Sequence, residues 1–477
     1  MNAESAYVFR HALLRDAAYQ LQLPGDRAQL HALAFAIVED HCGGRAPEPP
    51  PLGASGKSVW QPHRSDVFAE ELALHAATSQ NAGLRAALKL YLRRAAEHSD
   101  RQCRADASER LWKSHAELAS GIEEGESWRR AATAARDAGR RKSAEPLSER
   151  ALAIFREAGD RRLEGIAQAD RAVLHHQAAQ IPEAEQRFQE ALAIHRDVGD
   201  RPSEGAALNN LASICAETGR VREAERHQEQ ALAIHREVGD RRAEGIALGN
   251  LALVRKETGR VEEAERGYEA ARAVHREVGN RRHEGIVLGN LANLYKETRR
   301  MSQAEVTYEQ ALAIHREVGD RRFEGIALGN LAGLYQITGR KPQAETAYEH
   351  ALAIHREIGN RRSEGVALGN LAGLYQDTGR VEPAERNFTE AIAIHREVRN
   401  RRLEGAHLCG YAVLLVARGR IEPAREAWQQ GAMILRELGD LGSLQAHAAE
   451  LQKACVRAGV PHFDAPGRDS QAPPSPH

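Results

Sequence analysis

Aromatic side chains are scarce in this chain, 5% of 477 residues, and cysteine is scarcer still at five. So few aromatics leave little for stacking on nucleic-acid bases, and abundant Ala and Leu suit close-packed helices better than sheets. The cysteines, Cys42, Cys103, Cys215, Cys409 and Cys455, are scattered without a C-x-x-C pair. That excludes a disulfide framework or a zinc site of the usual spacing, and it points to a reducing cytosol. No window approaches the roughly 18 apolar residues of a membrane span. Glu4, Arg10, Arg15 and Asp16 break up the first apolar stretches, leaving no signal-peptide core. An excess of either charge is missing as well, since 66 Lys and Arg face 67 Asp and Glu. A near-neutral chain is no general polyanion binder, so nucleic acid is not an expected partner. Also absent are H-E-x-x-H, G-x-S-x-G and any His and Cys pair at telling spacing. The expectation is a cytoplasmic protein with no membrane contact, no catalytic residue, no cofactor and no metal.

What the chain has instead is repetition. ALAIHREVGD at 231–240 returns at 311–320, with ALAIHRDVGD at 191–200 and ALAIHREIGN at 351–360. EGIALGNLA at 244–252 returns at 324–332, as EGIVLGNLA at 284–292 and as EGVALGNLA at 364–372. The period is 40 residues without insertion, giving eight units over 121–440. Self-similarity at such a period signals stacked supersecondary units. Each unit reads as two helices. Asp320 caps the first in its unit, and Glu324 places negative charge in the first turn. Ile326, Leu328, Leu331, Leu334 and Tyr335 recur at helical spacing, and Gly339 ends the helix, as Gly219, Gly259 and Gly379 do in theirs. The second helix carries Ala344, Tyr348, Ala351, Leu352 and Ile354 and stops at Gly359. Neither helix buries its apolar stripe alone, so neighbouring units must complete the core.

Leu328, Leu331, Ala332, Tyr335, Ala344, Tyr348 and Ala351 resemble the tetratricopeptide repeat signature, with Ala332 in place of the usual Gly and Arg356 where a helix-ending Pro often stands. The 40-residue unit is similar to the long repeats of kinesin light chains and of the mitotic-spindle adaptors with GoLoco motifs. The resemblance implies an all-α, right-handed solenoid of helix-turn-helix repeats. FRHALLRDAAY at 9–19, followed by Leu30-His31-Ala32-Leu33-Ala34, is similar to the segment behind the nucleotide-binding module of bacterial signalling ATPases of the STAND type. That likeness implies a bacterial signalling context, with a separately encoded ATPase or kinase as one partner.

The chain therefore divides into a helical segment at 1–42, a Pro- and Gly-rich linker at 43–66, a helical lead-in at 67–120, the eight repeats at 121–440, a capping helix at 441–459 and a disordered tail at 460–477. Gly53-Ala-Ser-Gly56-Lys57-Ser58 is no phosphate loop, because a Gly belongs where Pro51 stands and no strand precedes it.

Asn210, Asn250, Asn290, Asn330 and Asn370 recur in the middle of first helices, where Asn is a poor helix former. In the long-repeat proteins this position faces the concave groove, and the resemblance implies that the amides bond the backbone of an extended peptide. Small neighbours, Gly249, Gly289, Gly329 and Gly369 before them and Ser213, Asn293, Gly333 and Gly373 one turn on, leave room for a ligand or for close helix packing. Lys256, Lys296, Gln336 and Gln376 are expected to line the same groove. His195, His235, His275, His315, His355 and His395 form a second row, expected half-buried at the joints between units. Layers roughly 10 Å apart keep them from sharing a zinc, although they could titrate together near neutrality. Arg pairs such as Arg241-Arg242, Arg281-Arg282, Arg321-Arg322 and Arg361-Arg362 open the first helices; ion pairing is the expected role, with phospholigand or nucleic-acid binding as the alternative. The function expected is protein–protein interaction through an extended peptide, or reception of a short signalling peptide.

Overall fold

A computed structural model describes residues 23–53, 60–102, 104–461 and 463. Residues 9–19, most of the Gly53–Ser58 motif, Cys103 and the tail beyond Phe463 fall outside that set. Every regular element among the described residues is a helix, and the chain divides into two compact units between Gly239 and Asp240.

The N-terminal unit begins with α1 (Pro24–His41), α2 (Ala69–Thr78), α3 (Arg85–Arg101) and α4 (Ala105–Ala116). Three hairpins follow, α5 (Ile122–Asp137) with α6 (Arg141–Glu157), α7 (Arg161–Gln177) with α8 (Ile181–Asp197), and α9 (Arg201–Glu217) with α10 (Val221–Glu237). The Pro- and Gly-rich stretch is not a slack tether. Ala46 and Leu52 are buried in the same apolar core as Tyr91 and Trp112. Arg94, 1% exposed, ties the stretch down: its guanidinium sits 2.6 Å from Asp66 and donates to the carbonyls of Pro47 and Gln61. A charge buried this deeply is tolerable only when paired and hydrogen-bonded.

The C-terminal unit stacks five hairpins: α11 (Arg241–Glu257) with α12 (Val261–Glu277), α13 (Arg281–Glu297) with α14 (Met301–Glu317), α15 (Arg321–Ile337) with α16 (Lys341–Glu357), α17 (Arg361–Asp377) with α18 (Val381–Glu397), and α19 (Arg401–Ala417) with α20 (Ile421–Glu437). α21 (Leu441–Ala458) closes the stack, burying Leu451 and Cys455 against Trp428 and Leu435. Buried Ala, Leu and Ile at helical spacing hold each hairpin to the next.

The caps work as the residues require. Asp160, Asp200, Asp240, Asp320 and Asp440 each accept from the backbone N–H three residues on. Gly339 and Gly359 end their helices at φ +79° and +66°, a region open to glycine at little cost. Arg299 and Arg399 occupy the equivalent turns at φ +61° and +53° with a side chain attached.

Candidate functional site

Four first helices of the C-terminal unit carry the asparagines at one register position: Asn250 on α11, Asn290 on α13, Asn330 on α15 and Asn370 on α17. Asn250, Asn290 and Asn330 are partly exposed and Asn370 is exposed. Among the described residues none of these four amides makes a hydrogen bond, and neither does Asn210 on α9 of the N-terminal unit. They do not tie one helix to the next. An amide held in a helix interior without a partner inside the protein leaves a donor and an acceptor for something outside it.

Residues three and seven places on share that helix face. They include Leu253 and Ile337, 37% and 62% exposed, an apolar component beside the polar residues that the sequence pattern points to. A side chain added at Gly289, Gly329 or Gly373 would meet open space, so the face is roomy there. Gly369 differs: a Cβ there would lie 2.0 Å from the His407 ring, so this glycine exists for packing between first helices.

The Lys and Gln row divides from the asparagines. Six residues further along an α-helix is about 120° round the axis. Lys256 pairs with Glu297 at 2.7 Å, and Gln336 donates to Asp377 at 3.0 Å while accepting from Tyr348. Lys296 is largely buried, with its ammonium 6.0 Å from the Tyr308 ring centre, and desolvation lowers its pKa. Gln376 is half-buried. Three of these four side chains are thus engaged between neighbouring helices.

One hairpin earlier than Asn210, the asparagine register changes chemistry. Asp170 stands there on α7 and is bound by Arg129 at 2.8 Å, which also holds Glu126. A closed ionic triad takes the place of a free amide.

The histidines are buried rather than half-buried, and several do lie at the joint with the next unit: His275 against His283, His315 stacked on Phe323, and His395 bonded to His407. His195, His275, His315, His355 and His395 are 0–3% exposed, each on the second helix of its hairpin. Each ring lies against a first-helix glycine thirty residues earlier: a Cβ at Gly245, Gly285 or Gly325 would come within 2.6–2.7 Å of the imidazole Cε1. The glycine of the EG dipeptide is there to admit the ring. Burial lowers the pKa of all five, to about 4 for His275, so they do not titrate together near neutrality. Among the described residues no group of three or more His, Cys, Asp or Glu side chains could hold a metal ion.

The first arginine of each pair is committed. Arg321 bonds Glu324 at 2.6 Å and Glu357 at 2.5 Å, and Glu324 also accepts from Arg316. Arg281 and Arg361 repeat the pattern, so alternating charges run along one edge of the C-terminal unit.

The model for the tetratricopeptide repeat matches the sequence at residues 123–197, 167–237, 203–277, 243–317, 283–357 and 323–397. No curated protein matches. Among solved structures, a signal transduction ATPase with numerous domains and a tetratricopeptide repeat sensor, from Pyrococcus horikoshii, is 16% identical with a TM-score of 0.56, covering 91% of this chain and 67% of its own. The apo form of the quorum sensor NprR from B. thuringiensis is 13% identical at a TM-score of 0.52, over 72% of this chain and 96% of its own. A Rap protein complexed with competence and sporulation factor is 15% identical at 0.50, over 78% of this chain and 98% of its own. At such identities the likeness is one of fold.

Proposed function

The chain belongs to the tetratricopeptide repeat family, and on that footing we propose that it holds an extended segment of a partner polypeptide on the face carrying Asn250, Asn290, Asn330 and Asn370. The observation that carries the reading is that among the described residues these four amides have no hydrogen-bond partner, while the first arginine of each pair and Lys256 are spent on ion pairs within the protein. Each amide bond to a peptide backbone contributes about 0.5–1.5 kcal/mol net, so four supply about 2–6 kcal/mol. By itself that reaches no tighter than tens of micromolar. Apolar side chains of the partner beside Leu253 and Ile337 would have to supply the rest.

The role we favour is the sensor or scaffold part of a bacterial signalling system, in the cytoplasm, with a separately encoded ATPase or kinase as partner. Likeness of fold to the Pyrococcus horikoshii protein supports it, as do Cys42, Cys215, Cys409 and Cys455, buried and outside any disulfide, which suit a reducing compartment. Reception of a short signalling peptide is the second reading, favoured by likeness of fold to the Rap protein solved with competence and sporulation factor.

The test is selection of binders from a displayed library of random 15-residue peptides, followed by titration of the selected peptides. Wild type should hold them at micromolar Kd, and N250A/N290A/N330A/N370A, matched in helicity by circular dichroism, should lose at least tenfold. Peptides that bind both proteins equally would move the site elsewhere. Truncation separates the two readings, because a signalling peptide keeps its affinity at five or six residues and a scaffolded segment does not.

A further inference from the structure

The second arginine of each pair behaves differently from the first, and the difference follows a rule. Arg282 pairs with Asp320 and Arg402 with Asp440, both at 2.6 Å, and both partners are helix-capping residues 38 positions on. For Arg242, Arg322 and Arg362 the residue 38 positions on is Asn280, Asn360 or Asn400. An amide can cap a helix, as Asn360 does for Ser363, but it cannot neutralise a guanidinium. Among the described residues Arg242, Arg322 and Arg362 have no carboxylate partner, and all three are exposed. Much of that edge is a ladder of opposite charges, and among the described residues these three cations, together with the exposed Arg276, stand as its unbalanced charge.

Apolar side chains accompany them. Val278, Val318 and Ile358, each 38–40% exposed, precede the cap turns by two residues. Arg242, Val278, Asn280, Arg282 and Val318 line a cavity of about 590 Å³. We propose that this edge of the C-terminal unit is a second interaction surface, separate from the asparagine face, which docks an acidic polypeptide whose Asp or Glu side chains reach Arg242, Arg322 and Arg362 while apolar residues between them rest on the valines.

Spacing decides against nucleic acid. Two helix layers per repeat at 8–10 Å put Arg322 and Arg362, one repeat apart, at roughly 16–20 Å, and Arg242 and Arg322, two repeats apart, at roughly 32–40 Å. An extended polypeptide covers these gaps in about six and about twelve residues. A nucleic acid, with phosphates every few ångströms, would match only three of its charges and set the others against the carboxylates of the ladder.

The experiment uses fluorescence anisotropy of a labelled peptide of about 24 residues with Glu pairs every six residues and Leu between them, long enough to span Arg242 to Arg362, titrated with the full chain. R242Q/R322Q/R362Q should weaken binding about tenfold, the yield of three surface ion pairs. N280D/N360D/N400D should do the same without removing any arginine, because each new carboxylate takes its guanidinium. D320N/D440N, which frees Arg282 and Arg402, should tighten binding several-fold. Q303E/Q310E/Q343E matches the charge of the Asp variant on exposed second-helix positions and should stay within twofold of wild type. The proposal is overturned if the Asp caps leave affinity unchanged, or if the charge-matched control weakens it equally. Tighter binding of an 18-nucleotide single strand, with the same response to the variants, would overturn the assignment to a polypeptide.

Discussion

Replacing Gly325 by Ala tests the most repeated contact in the molecule. A methyl at this position on α15 would sit 2.6 Å from Cε1 of His355 and 3.0 Å from both ring nitrogens. Ordinary contact starts at 3.4 Å, so the ring has to retreat by about 0.8 Å. It is only 3% exposed and packed on all sides, so it has nowhere to go. Overpacking of this kind costs about 1–3 kcal/mol. Ala in a helix interior returns about 0.5–1 kcal/mol relative to Gly. The net expectation is a loss of about 1–2 kcal/mol in the α15–α16 hairpin. In a His355→Ala background, itself costly through the cavity it opens, the same Gly325→Ala change should stabilise by about 0.5–1 kcal/mol, because the clash is gone and the helix gain remains. The sign reversal corresponds to a coupling energy of about 2 kcal/mol. Because repeat arrays open locally, the assay is amide hydrogen exchange read on peptides from residues 321–357. Protection should fall roughly five- to thirtyfold in the single glycine variant and rise when His355 is already Ala. Equal or greater protection for Gly325→Ala beside an intact His355 would refute the reasoning, and so would an effect of one sign in both backgrounds.

Acidification should weaken the fold before any carboxylate titrates. The buried histidines bind protons less readily in the folded than in the unfolded chain, so stability is full above the unfolded value of about 6.5 and is lost as pH falls toward the folded values, about 4 for His275. The urea midpoint should drop steadily from pH 7.5 to pH 5, and a flat profile would contradict the burial argument. Arg299→Gly and Arg399→Gly should each stabilise by about 0.5–1 kcal/mol, because both positions sit at positive φ where the sister turns carry glycine; unchanged urea midpoints would mean that the arginines are unstrained. In a Cys103→Ser variant, Cys42, Cys215, Cys409 and Cys455 should stay silent to a thiol reagent until urea unfolds the chain, since all four are buried and burial raises the pKa of Cys42, Cys215 and Cys455.

Helix positions and ends were legible because local chemistry sets them: Asp320 and Gly339 act within one turn of their own positions. The depth of the histidine row was not legible from His355 alone, since a lone histidine on a helix is compatible with any degree of burial. The signal lay in its fixed thirty-residue offset from Gly325, which only pays when the two helices are read as one packed pair. Arginine pairing was legible as a class and not residue by residue. Separating Arg241 from Arg242 requires knowing that one faces Glu244 and Glu277 while the other reaches for the next cap. The stretch from Gly43 to Arg64 misled because Pro and Gly signal an absence of helix, not an absence of contact, and Arg94, which anchors it, lies far along the chain. For the asparagines, position followed from period, but their lack of partners is a property of three-dimensional surroundings that no spacing reveals.

The hairpins of the C-terminal unit carry their closing contact inside themselves, glycine against histidine, and present nearly the same outer surfaces to the hairpin before and the hairpin after. An exchange between misaligned copies of the gene that removed residues 281–320 would bring Asn280 up against Arg321 and rebuild the junction that Asn360 makes with Arg361. Array length is therefore the property that inheritance can alter most cheaply, in steps of one whole hairpin. The pattern of Asp and Asn at the caps changes instead one letter at a time, since a single base separates their codons. Reach and edge charge can thus drift independently in descendants of this chain.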